Sequence, residues 1–194
     1  MALANAADAF SKMAGEQVLL SNYDIRFIQR EAVGLVLSEQ HEAEWYILTT
    51  PIVGKFEAKT FLLFNRPDVK KLLSVFLPGQ SFVEESPLSE FQSAILLELD
   101  NIVTAAMVTQ LSNFTSLSAY GDVPSLKQLS RDDTIDYFSA STAQFELIMH
   151  VQARFRSSRT QMNPLFICFF KQEFLTVIKK LIASENHLNL TKIK

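Results

Sequence analysis

Cysteine is almost missing from this chain: Cys168 is the only one among 194 residues. No intrachain disulfide can form, and no cysteine set can hold a metal. Cys168 sits in the apolar run Leu165-Phe166-Ile167-Cys168-Phe169-Phe170, where a thiol is expected to behave as a small buried hydrophobe. Histidine is scarce as well. His41, His150 and His187 are scattered without ligand spacing, so each is expected to be a surface or satisfied side chain. The five glycines are dispersed, which excludes a glycine-rich phosphate loop. No serine lies in a nucleophile-elbow motif. An excess of positive charge is also lacking: 18 Lys and Arg stand against 21 Asp and Glu, for a formal charge of −3. Nucleic-acid binding needs a basic footprint, so none is expected. There is no uninterrupted stretch of eighteen apolar residues, so no membrane insertion is expected. The opening Met1-Ala2-Leu3-Ala4-Asn5 has neither the basic start nor the apolar core of a secretion signal. A reducing, cytoplasmic location follows as the expectation.

What the chain does have is apolar bulk. Hydrophobic residues make up 48%, and sixteen are phenylalanine, enough for one sizeable core or two halves sharing one. Residues 3–14 carry Leu3, Ala6, Ala7, Phe10 and Met13 at helical spacing, with Gly15 as the stop. From Gln17 to Asn65 the pattern turns aromatic and aliphatic, as in Trp45-Tyr46-Ile47-Leu48 and Lys59-Thr60-Phe61-Leu62-Leu63-Phe64. These are expected strands of an antiparallel sheet. Pro67 opens a helix through Val69, Leu72, Leu73 and Phe76, which halts before Pro78-Gly79.

After a connection over Gly79–Glu85, Ser86-Pro87 has the form of an N-cap with proline in first helical position. Glu90 adds a favourable carboxylate in the first turn. The helix is expected over about 87–111, with Ile95, Leu96, Leu99, Val103 and Ala106 inward. Residues 113–138 are polar and turn-rich, including Gly121-Asp122-Val123-Pro124. Strands are expected at about 143–153 and 164–170, with Phe166, Phe169 and Phe170 in the core. A last helix covers about 172–183, with Phe174, Val177, Ile178 and Ile182 inward, and a polar tail follows over 185–194. Arg154, Arg156 and Arg159, with Ser157 and Ser158, form a small basic cluster expected to be solvated surface.

A faint internal repeat runs through these segments. Phe61-Leu62-Leu63-Phe64-Asn65-Arg66-Pro67-Asp68-Val69 aligns with Phe166-Ile167-Cys168-Phe169-Phe170-Lys171-Gln172-Glu173-Phe174, each a strand passing straight into a helix. Gly15-Glu16-Gln17-Val18 aligns with Gly121-Asp122-Val123-Pro124 at nearly the same offset. The expected fold is α+β: a single domain over 1–194 with two pseudo-symmetric helix–sheet–helix halves, about 1–78 and 86–184. Together they form a continuous antiparallel sheet packed by long helices.

The chemically distinctive feature lies in Glu98-Leu99-Asp100-Asn101. Glu98 and Asn101 are three apart in an otherwise apolar helix and project from one face. Ala94 and Ala105 flank them, small enough for a partner's backbone to come close. An asparagine in mid-helix goes against propensity, which hints at use. Twenty-two residues separate Asn101 from Pro124.

Those residues carry a resemblance. The chain resembles the CheC/CheX group of chemotaxis phosphatases, whose signature is an acid or serine, three residues, Glu, two residues, Asn, twenty-two residues, Pro. Glu98, Asn101 and Pro124 match at the right spacing. The first position falls on Ala94, where Asp or Ser is usual, and Ser93 is one residue off. The likeness extends to Phe10-Ser11-Lys12-Met13-Ala14-Gly15 and to the strand-to-helix passages at 61–77 and 166–182. Carried back by the repeat offset, the Glu–Asn pair falls before Met1, so a single active pair is expected, as in CheX.

The resemblance implies hydrolysis of the aspartyl phosphate on a CheY-like receiver. Asn101 would position the attacking water, and Glu98 would form a salt bridge to the receiver's active-site lysine. Ala94, Ala105 and Pro124 would meet the partner. Mg²⁺ would come from the receiver, so the chain would bind no cofactor itself. A homodimer is implied too. The alternative is a non-catalytic receiver-binding module resembling the flagellar switch proteins, for which Ala94 speaks mildly.

Overall fold

A strand that is apolar at every position must be covered on both sides. β8 (Leu165–Phe170) is such a strand, buried throughout. Leu165, Ile167 and Phe169 join Trp45, Ile47, Phe61 and Leu63 in one core cluster. Phe166, Cys168 and Phe170 join Tyr46, Leu48, Leu62 and Phe64 in the other. The sheet therefore separates two cores. The computed structural model describes residues 7–8, 11–12, 15, 17–29, 34, 43–79, 87–145, 147–157, 161–174, 176–178 and 180–181.

The remaining strands are β1 (Val18–Gln29), β2 (Glu44–Gly54), β3 (Ala58–Asn65), β4 (Ala119–Gly121), β5 (Ser125–Ser130), β6 (Leu147–Ser157) and β7 (Gln161–Met162). The order runs β1-β6-β8-β3-β2, and both β4 and β5 pair with the outer side of β2. Every pairing is antiparallel. The order is palindromic about the β3–β8 pair, where Leu62 faces Phe166. Each edge strand pairs across the pseudo-two-fold: β1 lies on β6 of the second half, and β4 and β5 lie on β2 of the first. Both edges carry a register slip. On β1 it falls between Leu20 and Asn22. On the other edge Ile52 faces Gly121 but Thr49 faces Ser125, so three steps along β2 match four along its partner. Asp122–Pro124 form that bulge, and the Asp122 N–H donates to the Pro51 carbonyl at 2.8 Å. A bulge is one of the few places a sheet tolerates proline.

Two helices cover one face. α1 (Arg66–Phe76) starts under the Asn65 cap, with Pro67 in its first turn, and buries Val69, Leu72 and Leu73. α2 (Glu90–Thr115) buries Leu96, Leu99 and Val103. The opposite face is covered by α3 (Arg131–Ser141), whose Phe138 ring lies 4.4 Å from Phe61 and 5.9 Å from Phe169. The arrangement is α+β with a continuous antiparallel sheet, as the repeat predicts.

Several local expectations need correction. The 113–138 segment is not merely turns: it holds β4, β5 and most of α3. β5 is an exposed edge strand without a buried alternation, so its period was weak. The cap of α2 is Ser89, not Ser86, which lies outside the described residues. Ser89 Oγ accepts from the Gln92 N–H at 3.2 Å, and Gln92 Oε1 accepts from the Ser89 N–H at 3.0 Å. This reciprocal capping box outcompetes proline placement as a start signal. The helix also runs on to Thr115, ending at left-handed Ser116. The strand expected at 143–153 is Leu147–Ser157. By length and apolar composition alone α2 would suffice to cross a membrane. Its apolar stripe is buried on the sheet instead.

Near the termini, Gly15 adopts φ +64°, suited to ending a helix, and Ala7 is buried. Phe174 stacks on Phe170 at 4.5 Å, while Val177 and Ile178 are partly buried. Leu3, Ala6, Phe10, Met13, His41, Arg159, Ile182, His187 and the 185–194 tail lie outside the described residues, as do the side chains of His150, Arg154 and Arg156.

Candidate functional site

An α-helix advances about 100° per residue, so positions 94, 98, 101 and 105 fall within a sector of about 60°. On α2 that sector faces solvent: Ala94, Glu98, Asn101 and Ala105 are all exposed. The buried side is the predicted stripe, with Leu96, Leu99 and Val103 fully covered and Ile95 and Ala106 partly so. Asn101 Nδ2 points at Glu98 Oε2, 3.5 Å away, too long for more than a weak hydrogen bond. The carboxylate and carboxamide thus stand side by side on an alanine-lined face. Phe91, about two turns before Glu98 and at the border of that sector, is 60% exposed. Pro124 is partly buried in the edge bulge beside Val123, which is 80% exposed.

One residue of this segment has a role that sequence reasoning missed. Asp100 is fully buried beneath the pair. Thr50 of β2 donates its hydroxyl to Asp100 Oδ2 at 2.5 Å. Thr60 of β3 donates to the Thr50 carbonyl at 3.1 Å and lies 3.2 Å from the Thr104 hydroxyl. Gly121 closes the cluster: a Cβ there would stand 3.2 Å from the methyls of both Thr50 and Thr104. Burial pushes the Asp100 carboxyl up to about 6, against the lowering influence of the Thr50 and Thr104 hydroxyls. The signal was available, because Asp100 falls on the same stripe as Leu96 and Val103, where a carboxylate needs explanation.

Elsewhere the chemistry is quiet. Cys168 is buried, and burial pushes its thiol far up, so it is not a nucleophile. Among the described residues no three His, Cys, Asp or Glu side chains gather into a metal site. An open pocket of about 240 Å³ lies at the far end of the β2–β3 hairpin, lined by Lys55, Phe56, Glu57, Lys171 and Phe174 among others. A Lys171–Glu57 ion pair crosses it.

With that geometry in hand, the chain can be set beside known proteins. No protein-family model and no curated protein sequence matches it. Solved structures do. Thermotoga maritima FliY superposes with a TM-score of 0.72 at 16% identity, over 95% of this chain and 91% of that one. The fold is CheC-like. FliM, in a FliG–FliM complex from H. pylori, gives 0.60 at 13% identity, over 87% and 86%. The chemotaxis protein CheX from Desulfovibrio desulfuricans gives 0.50 at 11%, over 85% and 94%. The resemblance to the CheC/CheX group therefore holds at the level of the fold, which chemotaxis proteins share with FliY and FliM.

Proposed function

We propose that this protein is a phosphatase acting on the aspartyl phosphate of a CheY-like receiver, in chemotaxis or two-component signalling. The observation that carries the reading is the exposed Glu98–Asn101 pair on α2, flanked by Ala94 and Ala105. An acyl phosphate is already activated toward water. The catalyst has only to hold water in line with phosphorus and let charge spread over the transferring group. Asn101 suits the first task, since a carboxamide both donates and accepts hydrogen bonds and stays neutral. Glu98 supplies the anionic hook for the receiver's lysine. Ala94 and Ala105 leave room for the partner's backbone, and Phe91 and Val123 offer apolar contact at the rim. Mg²⁺ is the receiver's. The reading carries a cytoplasmic location and a homodimer with it.

A second reading is favoured by one specific observation. Ala94 occupies the position where an acid or serine is usual, and FliM shares the fold. On this reading the chain binds a receiver without hydrolysing its phosphate. The two are separated by following the decay of a labelled phospho-receiver with and without the protein. Faster decay that disappears in Asn101→Ala, with binding retained, supports the phosphatase. Binding with unchanged decay selects the adaptor.

A further inference from the structure

We propose that Asp100 is a positioning residue for the Glu98–Asn101 face: its neutral carboxyl locks that helical turn to β2 and to the Gly121 edge, and ionisation loosens the lock. The functional half rests on the phosphatase reading; the structural half stands alone.

Each threonine hydroxyl has one proton to give. Thr60 gives its own to the Thr50 carbonyl and lies 3.2 Å from the Thr104 hydroxyl. Thr50 donates to Asp100 Oδ2, and Oδ1 is buried without a hydrogen-bond partner. A carboxylate in that position would hold its charge in the core against neutral hydroxyls, with one oxygen unpartnered, a costly arrangement. With a proton, Asp100 is neutral and that cost is removed.

No compensating cation faces it from the described elements. On β2, Glu44 is bound to Arg66 and Gln128. On β3, Lys59 reaches the Ser141 carbonyl on the opposite face, and on β5 Lys127 lies over the Tyr137 ring. On α1, Asp68 and Lys71 pair with each other, and Lys70 is exposed. β4 carries no charge. Glu90 and Glu98 on α2 itself are exposed, as is Asp122 in the bulge.

The lock reaches both parts of the site. Asp100 directly precedes Asn101, and the Thr50 and Thr104 methyls fill the space a Gly121 side chain would need, at the residue that leads into the Asp122–Pro124 bulge. Loosening Asp100 therefore frees the helix turn and the bulge together.

Two measurements on the full chain test this. In ¹H–¹⁵N spectra from pH 4.5 to 8, the Glu98, Asn101 and Gly121 amides are expected to titrate together with a midpoint near 6. Asp100→Asn should abolish the titration. Thr50→Val, which removes the hydroxyl donor, should move the midpoint upward. Absence of the titration, its persistence in Asp100→Asn, or an unmoved midpoint in Thr50→Val overturns the lock. In the second measurement, stimulated phospho-receiver decay, with the receiver's own decay subtracted, should fall about tenfold across that range. Asp100→Asn should flatten the profile; an unchanged profile overturns the positioning role. If Asn101→Ala turns out as active as the parent, the phosphatase reading fails instead, and the spectra still decide the lock.

Discussion

Replacing Asp100 by asparagine should change how stability depends on pH, and the structure sets the size of the effect. The folded carboxyl titrates near 6, against 3.8 for the ordinary group. Between those values the folded chain holds a proton that the unfolded chain has released. Stability from this group is therefore fully present below about pH 4 and is lost as pH rises through about 6. A shift of roughly two units corresponds to about 3 kcal/mol, a large share of a typical folding free energy. Asparagine keeps the shape and an acceptor for Thr50 but has no proton to lose. Urea unfolding of both proteins at intervals from pH 4 to 8 isolates the contribution, because every other carboxylate cancels in the difference. The variant should gain about 3 kcal/mol on the parent between pH 4 and 7. If the two stability curves stay parallel across that window, burial is not holding the proton on Asp100.

Other consequences are simpler to state. Asn101→Ala should lower stimulated dephosphorylation by about 100-fold or more while leaving receiver binding within about twofold, as expected for a group that acts on the attacking water; pull-down and decay assays together check it. Glu98→Lys should weaken binding and turnover alike, since a cation then faces the receiver's lysine. Gly54 has φ +133°, and a Cβ there would meet the Ser118 carbonyl at 2.6 Å, so Gly54→Ala should destabilise by about 2–4 kcal/mol in urea unfolding. Phe138→Ala should cost about 3–5 kcal/mol, because that ring packs on Phe61 and Phe169 beneath α3.

How much of this was legible in the sequence depended on whether the signal was local. The outward placement of Glu98 and Asn101 was legible, because helical periodicity around Leu96, Leu99 and Val103 decides which side faces the sheet. The helix start at Pro67 was legible too, because proline suits the first helical position; the Asn65 cap came from the structure. α3 was not, because only Thr134 and Phe138 of it are fully buried, so it carries little periodic signal. Ser130 followed by Asp132 and Asp133 was the available cue, an N-cap with acidic residues in the first turn. Asp100 was misjudged by omission. Beside the polar pair it drew no reading of its own, although its phase matched the buried stripe.

By itself the sequence determined the pieces and their faces: the apolar central strands, the strand-to-helix passages, and a long helix with two polar groups on one side. Those follow from backbone periodicity and side-chain hydrophobicity, which act over a few residues. Tertiary structure alone decided that each edge strand joins the other half, that α3 seals the second core, and that Asp100 meets Thr50 and Thr104 in a closed polar cluster. Such pairings join residues far apart in the chain, and their energy comes from desolvation and hydrogen bonding that exist only once the sheet has assembled.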